Sequence, residues 1–377
     1  MDMRKQVLSL SLLSLLSTPI FADTQEGEAA FNQQRYEKAF LLLSDEAAKG
    51  DAKAQYLLGK MYYNGQGVAF NAEKAEQLLL SSANQGNVDA QVLLAGFYWH
   101  QNTPEGFRKS LGWYQKAADQ NNADAQYALG YMYQYANGVP QNDEMAMSWY
   151  KKSAAQGNSD AALAVGFMYD SGAGVEKDFA EAAKWYEKSA DLGNTSALYN
   201  LGLLYKFGDG VPKDESKAFQ YFQKAADQGH AKSQLEVGYF YDTGKGGQTA
   251  DLQKVALWYQ KSADQGNPNA QFNIGDMYLY GDGVTKNIDQ AVSWIRKSAE
   301  QGFGKAQYKL GVFYRDGIGV STDPVESYAW FTAAVGNGFN DAQKNQDELE
   351  KTLSEDQLKK AKELGKKYTE RYQKKSQ

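Results

Sequence analysis

Small, apolar and aromatic positions recur along the chain at a nearly fixed interval. The small residue at Ala54 returns as Ala90, Ala125, Ala161, Ala197, Ser233, Ala270, Ala306 and Ala342, at spacings of 35 to 37 residues. Five positions further on stand Gly59, Ala95, Gly130, Gly166, Gly202, Gly238, Gly275 and Gly311. Eight positions further on there is a tyrosine every time: Tyr62, Tyr98, Tyr133, Tyr169, Tyr205, Tyr241, Tyr278 and Tyr314. A second aromatic register, Trp113, Trp149, Trp185, Tyr221, Trp258, Trp294 and Trp330, holds six of the seven tryptophans, and the first full unit has Leu78 there. Self-similarity at such a period marks an array in which each unit is one supersecondary element.

Each unit predicts two helices. In the first full unit, helix A runs from about Ala54 to Tyr63 and helix B from about Ala72 to Gln85. Between them lies a glycine pair, as in Gly65-Gln66-Gly67-Val68 or Gly208-Asp209-Gly210-Val211. Glycine there supplies the positive φ that ends a helix, and the valine fills the apolar space behind the turn. Helix B closes on a further glycine, from Gly50 and Gly86 to Gly338, replaced once by Asn121. The second unit lacks the glycine pair across Gln101–Lys109. A glycine inside helix A costs roughly 1 kcal/mol against alanine. It therefore predicts a close approach of helix A to helix B, flanked by the recurring tyrosine and tryptophan.

Helix A divides by angle. At about 100° per residue, positions +1, +4, +5 and +8 from the repeated small residue keep their character and form the buried side. Positions +3, +6 and +10 fall together and vary. Position +6 reads Lys60, Gly96, Tyr131, Phe167, Leu203, Tyr239, Asp276 and Val312. Position +10 reads Asn64, His100, Tyr135, Ser171, Phe207, Thr243, Tyr280 and Asp316. Units of one chain share their scaffold, so variation marks what the scaffold leaves free. A merely solvated face would be Lys, Glu, Gln and Asn; this one is aromatic in the third to seventh units. Tyr131, Tyr135, Phe167, Leu203, Phe207, Tyr239 and Tyr280 are therefore expected to line a concave, partner-binding face. The competing expectation is that they pack between units, and solvent accessibility decides between the two.

The two ends depart from the repeat. Met1–Ala22 has Arg4 and Lys5 ahead of an apolar run, then Pro19 and Ala22, the pattern of a cleaved export signal. Its apolar stretch falls short of the roughly 20 residues that span a bilayer, and no later stretch is long and apolar enough to cross one. The mature chain is expected to start near Asp23. Residues 23–51 read as a shorter helix pair, residues 52–339 as eight full units, and residues 340–377 as capping helices with a basic tail. Leu358, Ala361, Leu364 and Tyr368 make one apolar face in that last segment, after an acidic first turn at Ser354-Glu355-Asp356.

Composition removes several chemistries. The chain has no cysteine and two histidines, His100 and His230. Disulfides, thiolate catalysis and clusters of neighbouring histidines around a metal are thereby excluded. A formal net charge of −6 supplies no basic footprint for nucleic acid. The glycine-pair turns follow a helix rather than a strand and lack a G-K-[ST] ending, so they are not phosphate loops. No calcium-loop spacing accompanies Asp209 or Asp282. No catalytic, cofactor or metal residues are expected, and both histidines read as surface residues.

The repeated pattern resembles Sel1-like repeats, relatives of the tetratricopeptide repeat with a longer inter-helix turn. It is clearest in Ala197–Gly229, and Glu28–Gly50 resembles a tetratricopeptide-type unit. The resemblance implies an all-α, right-handed α-solenoid of about eight repeats with a C-terminal cap. It also implies a non-enzymatic scaffold, adaptor or regulator in the cell envelope, periplasmic or secreted, that binds another protein. Two other readings stand beside it: a factor for peptidoglycan or exported polysaccharide, and a β-lactam-binding enzyme. The latter belongs to cysteine-rich relatives whose cysteines this chain lacks.

Overall fold

The computed structural model describes residues 21–373. The expected signal segment lies outside them except for Phe21 and Ala22, which open the first helix. The described residues form α-helices and no strand. The N-terminal pair is α1 (Phe21–Asn32) and α2 (Tyr36–Ala48). The repeats then supply α3 (Ala52–Asn64), α4 (Ala72–Asn84), α5 (Val88–Trp99), α6 (Pro104–Asp119), α7 (Ala123–Gln134), α8 (Asp143–Ala155), α9 (Ser159–Ser171) and α10 (Phe179–Asp191). They continue as α11 (Thr195–Phe207), α12 (Glu215–Asp227), α13 (Ala231–Thr243), α14 (Leu252–Asp264), α15 (Pro268–Tyr280), α16 (Ile288–Glu300), α17 (Gly304–Asp316) and α18 (Pro324–Gly336). The C-terminal pair is α19 (Ala342–Glu350) and α20 (Glu355–Arg371). The chain divides into two compact units, Met1–Lys177 with α1–α9 and Asp178–Gln377 with α10–α20. In the first, each helix packs on the next; in the second the same holds up to α19, and α20 returns onto α18.

Most helix starts are fixed by a side-chain cap. Asp51, Asn87, Asn122, Asn158, Asn194 and Asn267 each accept from a backbone N–H in the first turn of a helix A. Asn71, Thr103, Asn142, Asp214, Asp251 and Asn287 do the same for helix B. Such caps are typically worth about 1 kcal/mol each. The second glycine of the turn serves a different end. At Gly174, φ is +70° and an added Cβ would stand 2.6 Å from the carbonyl carbon of Asp143. The turn of one repeat thus lies on the start of the preceding helix B, where only glycine fits.

The glycine inside helix A faces helix B as expected, with a correction to the flanking residue. A Cβ on Gly130 would stand 2.5 Å from the Tyr150 ring, and one on Gly275 would stand 2.9 Å from Ile295. Gly202, Gly238 and Gly311 meet Phe222, Tyr259 and Phe331 in the same way. The partner is therefore the residue after the tryptophan register. The tryptophan itself packs both on helix A of its own repeat and on helix B of the preceding one: Trp149 clusters with Ala125 and Leu129 and with Ala117 and Ala118, and Trp258 with Val237 and Phe240 and with Phe222. Neighbouring positions on a helix point about 100° apart, so one meets the helix A glycine and the next reaches the joint with the preceding repeat.

Buried amides tie the repeats together. Gln271 donates from Nε2 to the Ala263 carbonyl at the end of α14 and accepts from Gln301 Nε2 at 2.8 Å. Gln55, Gln91, Gln126, Gln234 and Gln307 make the same pair of bonds, the last with Asn337 in place of a glutamine. Position +1 is thus buried, as its constancy predicts, but by hydrogen bonding rather than apolar packing. The fourth and fifth repeats carry Ala162 and Leu198 there.

Among the described residues no helix is long and apolar enough to cross a membrane.

Candidate functional site

The seven residues expected on the open face of helix A fall three in the first unit and four in the second. In the first, Tyr131 and Tyr135 of α7 and its end are 38% and 53% exposed, and Phe167 of α9 is 51% exposed. In the second, Phe207, Tyr239 and Tyr280 are also exposed. Leu203 differs: it is half-buried against the Phe222–Val237–Phe240 cluster. Its branched side chain is short enough to fold back onto the helix B side, where a ring would project outward. By contrast, the recurring tyrosine at +8 is covered, fully at Tyr98 and partly elsewhere.

Each unit builds a different surface around these rings. In the first, Trp99 lies 5.8 Å from Tyr131 edge-on, Tyr131 lies 4.5 Å from Tyr135, and Phe107 lies 4.9 Å from Trp99. Tyr150 stands behind them, its hydroxyl donating to Gln134 Oε1 at 2.8 Å. Burial raises the Tyr150 and Tyr127 hydroxyls above the usual phenol range, with Asp160 adding to the effect on Tyr127. Both hydroxyls therefore stay neutral near neutral pH.

In the second unit a cleft of about 270 Å³ is lined by Lys206, Glu236, Tyr239, Phe272, Asn273 and Lys305 among others. Lys206 pairs with Glu236 at 2.7 Å and lies over Tyr239 and Phe207, 5.0 and 5.5 Å from their ring centroids. Lys309 pairs with Asp276 at 2.6 Å and lies 5.2 Å from Tyr280 and 5.6 Å from Phe272. Burial raises the Asp276 carboxyl although Lys309 pulls it down.

Sequence reasoning missed Trp99, Phe107, Phe272 and the two lysine–carboxylate pairs. Trp99 had a signal, being the one tryptophan outside the helix B register. The ion pairs had none, because each joins neighbouring repeats at unequal positions. The histidines also differ from expectation in part. His100 ends α5 in solvent, whereas His230 is the half-buried cap of α13, its Nδ1 accepting from the Ser233 N–H. Among the described residues no cluster of three acidic or histidine side chains is placed to hold a metal ion.

This architecture has known counterparts. The Sel1 repeat profile matches residues 52–87, 88–122, 123–158, 159–194, 195–230, 231–267, 268–303 and 304–339. A Sel1 repeat protein from Oxalobacter formigenes is similar at 28% identity over 91% of this chain and 97% of its own, with a TM-score of 0.67. A protective antigen of uropathogenic Escherichia coli strains, described as displaying an SLR fold, is 31% identical over 94% of this chain and 84% of its own, with a TM-score of 0.57. Eight consecutive matches across an all-helical chain leave one assignment: this protein belongs to the Sel1 repeat family, as an α-solenoid of helix–turn–helix repeats.

Proposed function

We propose that the chain is an exported, non-enzymatic scaffold, an adaptor or regulator of the cell envelope, that binds another protein on the helix A faces of its repeats. Sel1 repeat proteins as a class mediate protein–protein interaction. The observation that carries the reading is the exposure of six bulky rings at helix A positions +6 and +10. Removing such rings from water is favourable by roughly 25 cal/mol per Å². Because helices already hold them in place, little ordering is lost on association. The Escherichia coli relative is an antigen, which supports an exported location for this chain as well. A mature start near Asp23 would leave α1 almost whole, including Thr24, which is buried in the N-terminal pair.

The test is photocrosslinking in the native cell, with the reactive residue at Tyr239 or Tyr135, followed by mass spectrometry of adducts and of the mature N-terminus. One recurring protein adduct and a start near Asp23 are expected. Serine at Tyr131, Tyr135, Phe167, Phe207, Tyr239 and Tyr280 should abolish the adduct while the circular dichroism of the repeats is kept. Adducts to glycan alone would replace this reading with the polysaccharide one. A folded serine variant that keeps every native association would end it, and an intact Met1 would remove its export part.

A further inference from the structure

We propose that the aromatic cluster of the first unit, Trp99 with Tyr131 and Tyr135, receives a basic side chain, arginine or lysine, from the partner protein. The inference rests on the scaffold reading and adds the chemistry of what is recognised.

The second unit shows what these helix positions hold. There, rings at +6 and +10 carry an ammonium group from the same chain: Lys206 over Tyr239 and Phe207, and Lys309 over Tyr280 and over Phe272 at +2. Each ammonium also meets a carboxylate, Glu236 or Asp276. A cation is drawn to a ring face by the ring quadrupole, most strongly at tryptophan.

The first unit has the rings without the internal cation. Tyr131 and Tyr135 occupy the same +6 and +10 positions. Beside the +10 ring, α7 has Gln134 where α11 has Lys206, and α9 has Ala164 where α17 has Lys309; before the +6 ring Tyr131, α5 has Trp99 at the place from which Lys206 reaches Tyr239. Among the described residues no lysine or arginine stands over Trp99, Tyr131 or Tyr135. Ala164 is too short to reach the rings, Gln134 carries no charge, and Trp99 adds a ring where the other unit has a lysine. The electrostatic setting suits a cation. Residues 23–177 carry 18 acidic and 12 basic side chains. The backbone behind the patch is also unusual. Ala136 has φ +58° directly after Tyr135, where the other repeats with a full turn have glycine. A strained residue is maintained at the edge of this cluster, as happens at binding sites.

The experiment uses the full mature chain labelled with 5-fluorotryptophan, the Trp99 signal being assigned by its loss in Trp99→Phe. The probe is a blocked Gly-Arg-Gly-Arg-Gly-Arg-Gly peptide, with its glutamate counterpart as control. The Trp99 fluorine resonance should move saturably with the arginine peptide alone, and less at higher salt. Tyr131→Ser with Tyr135→Ser should weaken that response about tenfold. Ala164→Lys should suppress it as well, by supplying the internal cation that Lys309 supplies in the other unit. Thermal melting of each variant guards against misfolding, and the Ala164→Lys variant needs no loss of packing to act. No movement of Trp99, equal movement with the glutamate peptide, or an undiminished response in Ala164→Lys would overturn the proposal. Tetramethylammonium moving Trp99 where the peptide does not would assign the cluster to a small quaternary amine instead. A partner adduct at Tyr135 with none of these shifts would leave the scaffold reading standing and remove only this one.

Discussion

At the scale of single residues, the repeat shows what it needs through the substitutions it accepts. His230 is such a case. Six other helix A segments start on Asn or Asp, whose oxygen accepts a first-turn N–H. His230 does this with Nδ1, which must be unprotonated to accept, and it lies 5.1 Å from the Tyr199 ring. Burial, and then the Lys232 charge, lower its pKa below the ordinary 6.5. A lowered histidine pKa stabilises the fold fully above the unfolded value, and that contribution is lost as pH falls through the folded value. His230→Asn should therefore melt at the same temperature as the parent or slightly higher near pH 7.5. Between pH 7 and 5 the parent should lose more stability than the variant. Thermal melts at matched ionic strength read this, and parallel pH profiles would show that the ring does not cap as the neutral form.

At the scale of the element, most of the hairpin could be read in advance and the joints between hairpins could not. The tyrosine, glycine and tryptophan registers place both helices of each repeat because they obey helical spacing within one unit. The glutamine clasp obeys no such rule. Gln271 reaches back eight residues to Ala263 and forward thirty to Gln301, so its partners lie outside any window that sequence periodicity samples. The same limit hid the Lys206–Glu236 and Lys309–Asp276 pairs, while Phe207, Tyr239 and Tyr280 beside them were legible from the variation of +6 and +10. Leu203 shows the converse limit: its position pointed outward, but its size let it turn inward. The clasp carries a quantitative expectation. Gln271→Ala removes both bonds of the clasp, while the Ala263 carbonyl keeps the Gly266 N–H and the exposed Gln301 amide keeps the Gly266 carbonyl, so the cost should be that of the lost bonds, about 0.5–1.5 kcal/mol each. Once Gln271 is gone, Gln301→Ala should add little further, because only its exposed bond to the Gly266 carbonyl remains to be lost. A double-mutant cycle by chemical denaturation reads the coupling, and additive losses would mean the two amides act independently.

At the scale of the whole molecule, an array of repeats must end, and its last apolar face needs a cover that is not another repeat. In the second unit α20 fills that place. Tyr368 and Tyr372 lie 4.6 and 5.3 Å from Trp330, which is 2% exposed. The Tyr372 carbonyl accepts from Gln307 and Asn337, so the last glutamine clasp is closed by the cap itself. Gly365 and Gly336 let α20 and α18 approach: an added Cβ would stand 2.7 Å from Thr332 or 2.5 Å from Thr369. The basic side of the helix, including Lys359, Lys360, Lys366 and Lys367, faces solvent. The apolar face and the charge can thus be separated by experiment. Ending the chain after Leu353 uncovers Trp330 and takes one acceptor from each of two amide donors, Gln307 and Asn337. Melting of the second unit should fall by roughly several degrees, and self-association should rise because a new apolar face is exposed. Replacing Lys359, Lys360, Lys366 and Lys367 by glutamine should leave melting nearly unchanged, since exposed charges contribute little to stability. Differential scanning calorimetry with sedimentation velocity distinguishes the two variants. If the truncated chain melts like the parent and stays monodisperse, α20 is no cap; if the glutamine variant is the one that loses stability, its charge holds the end together rather than its packing.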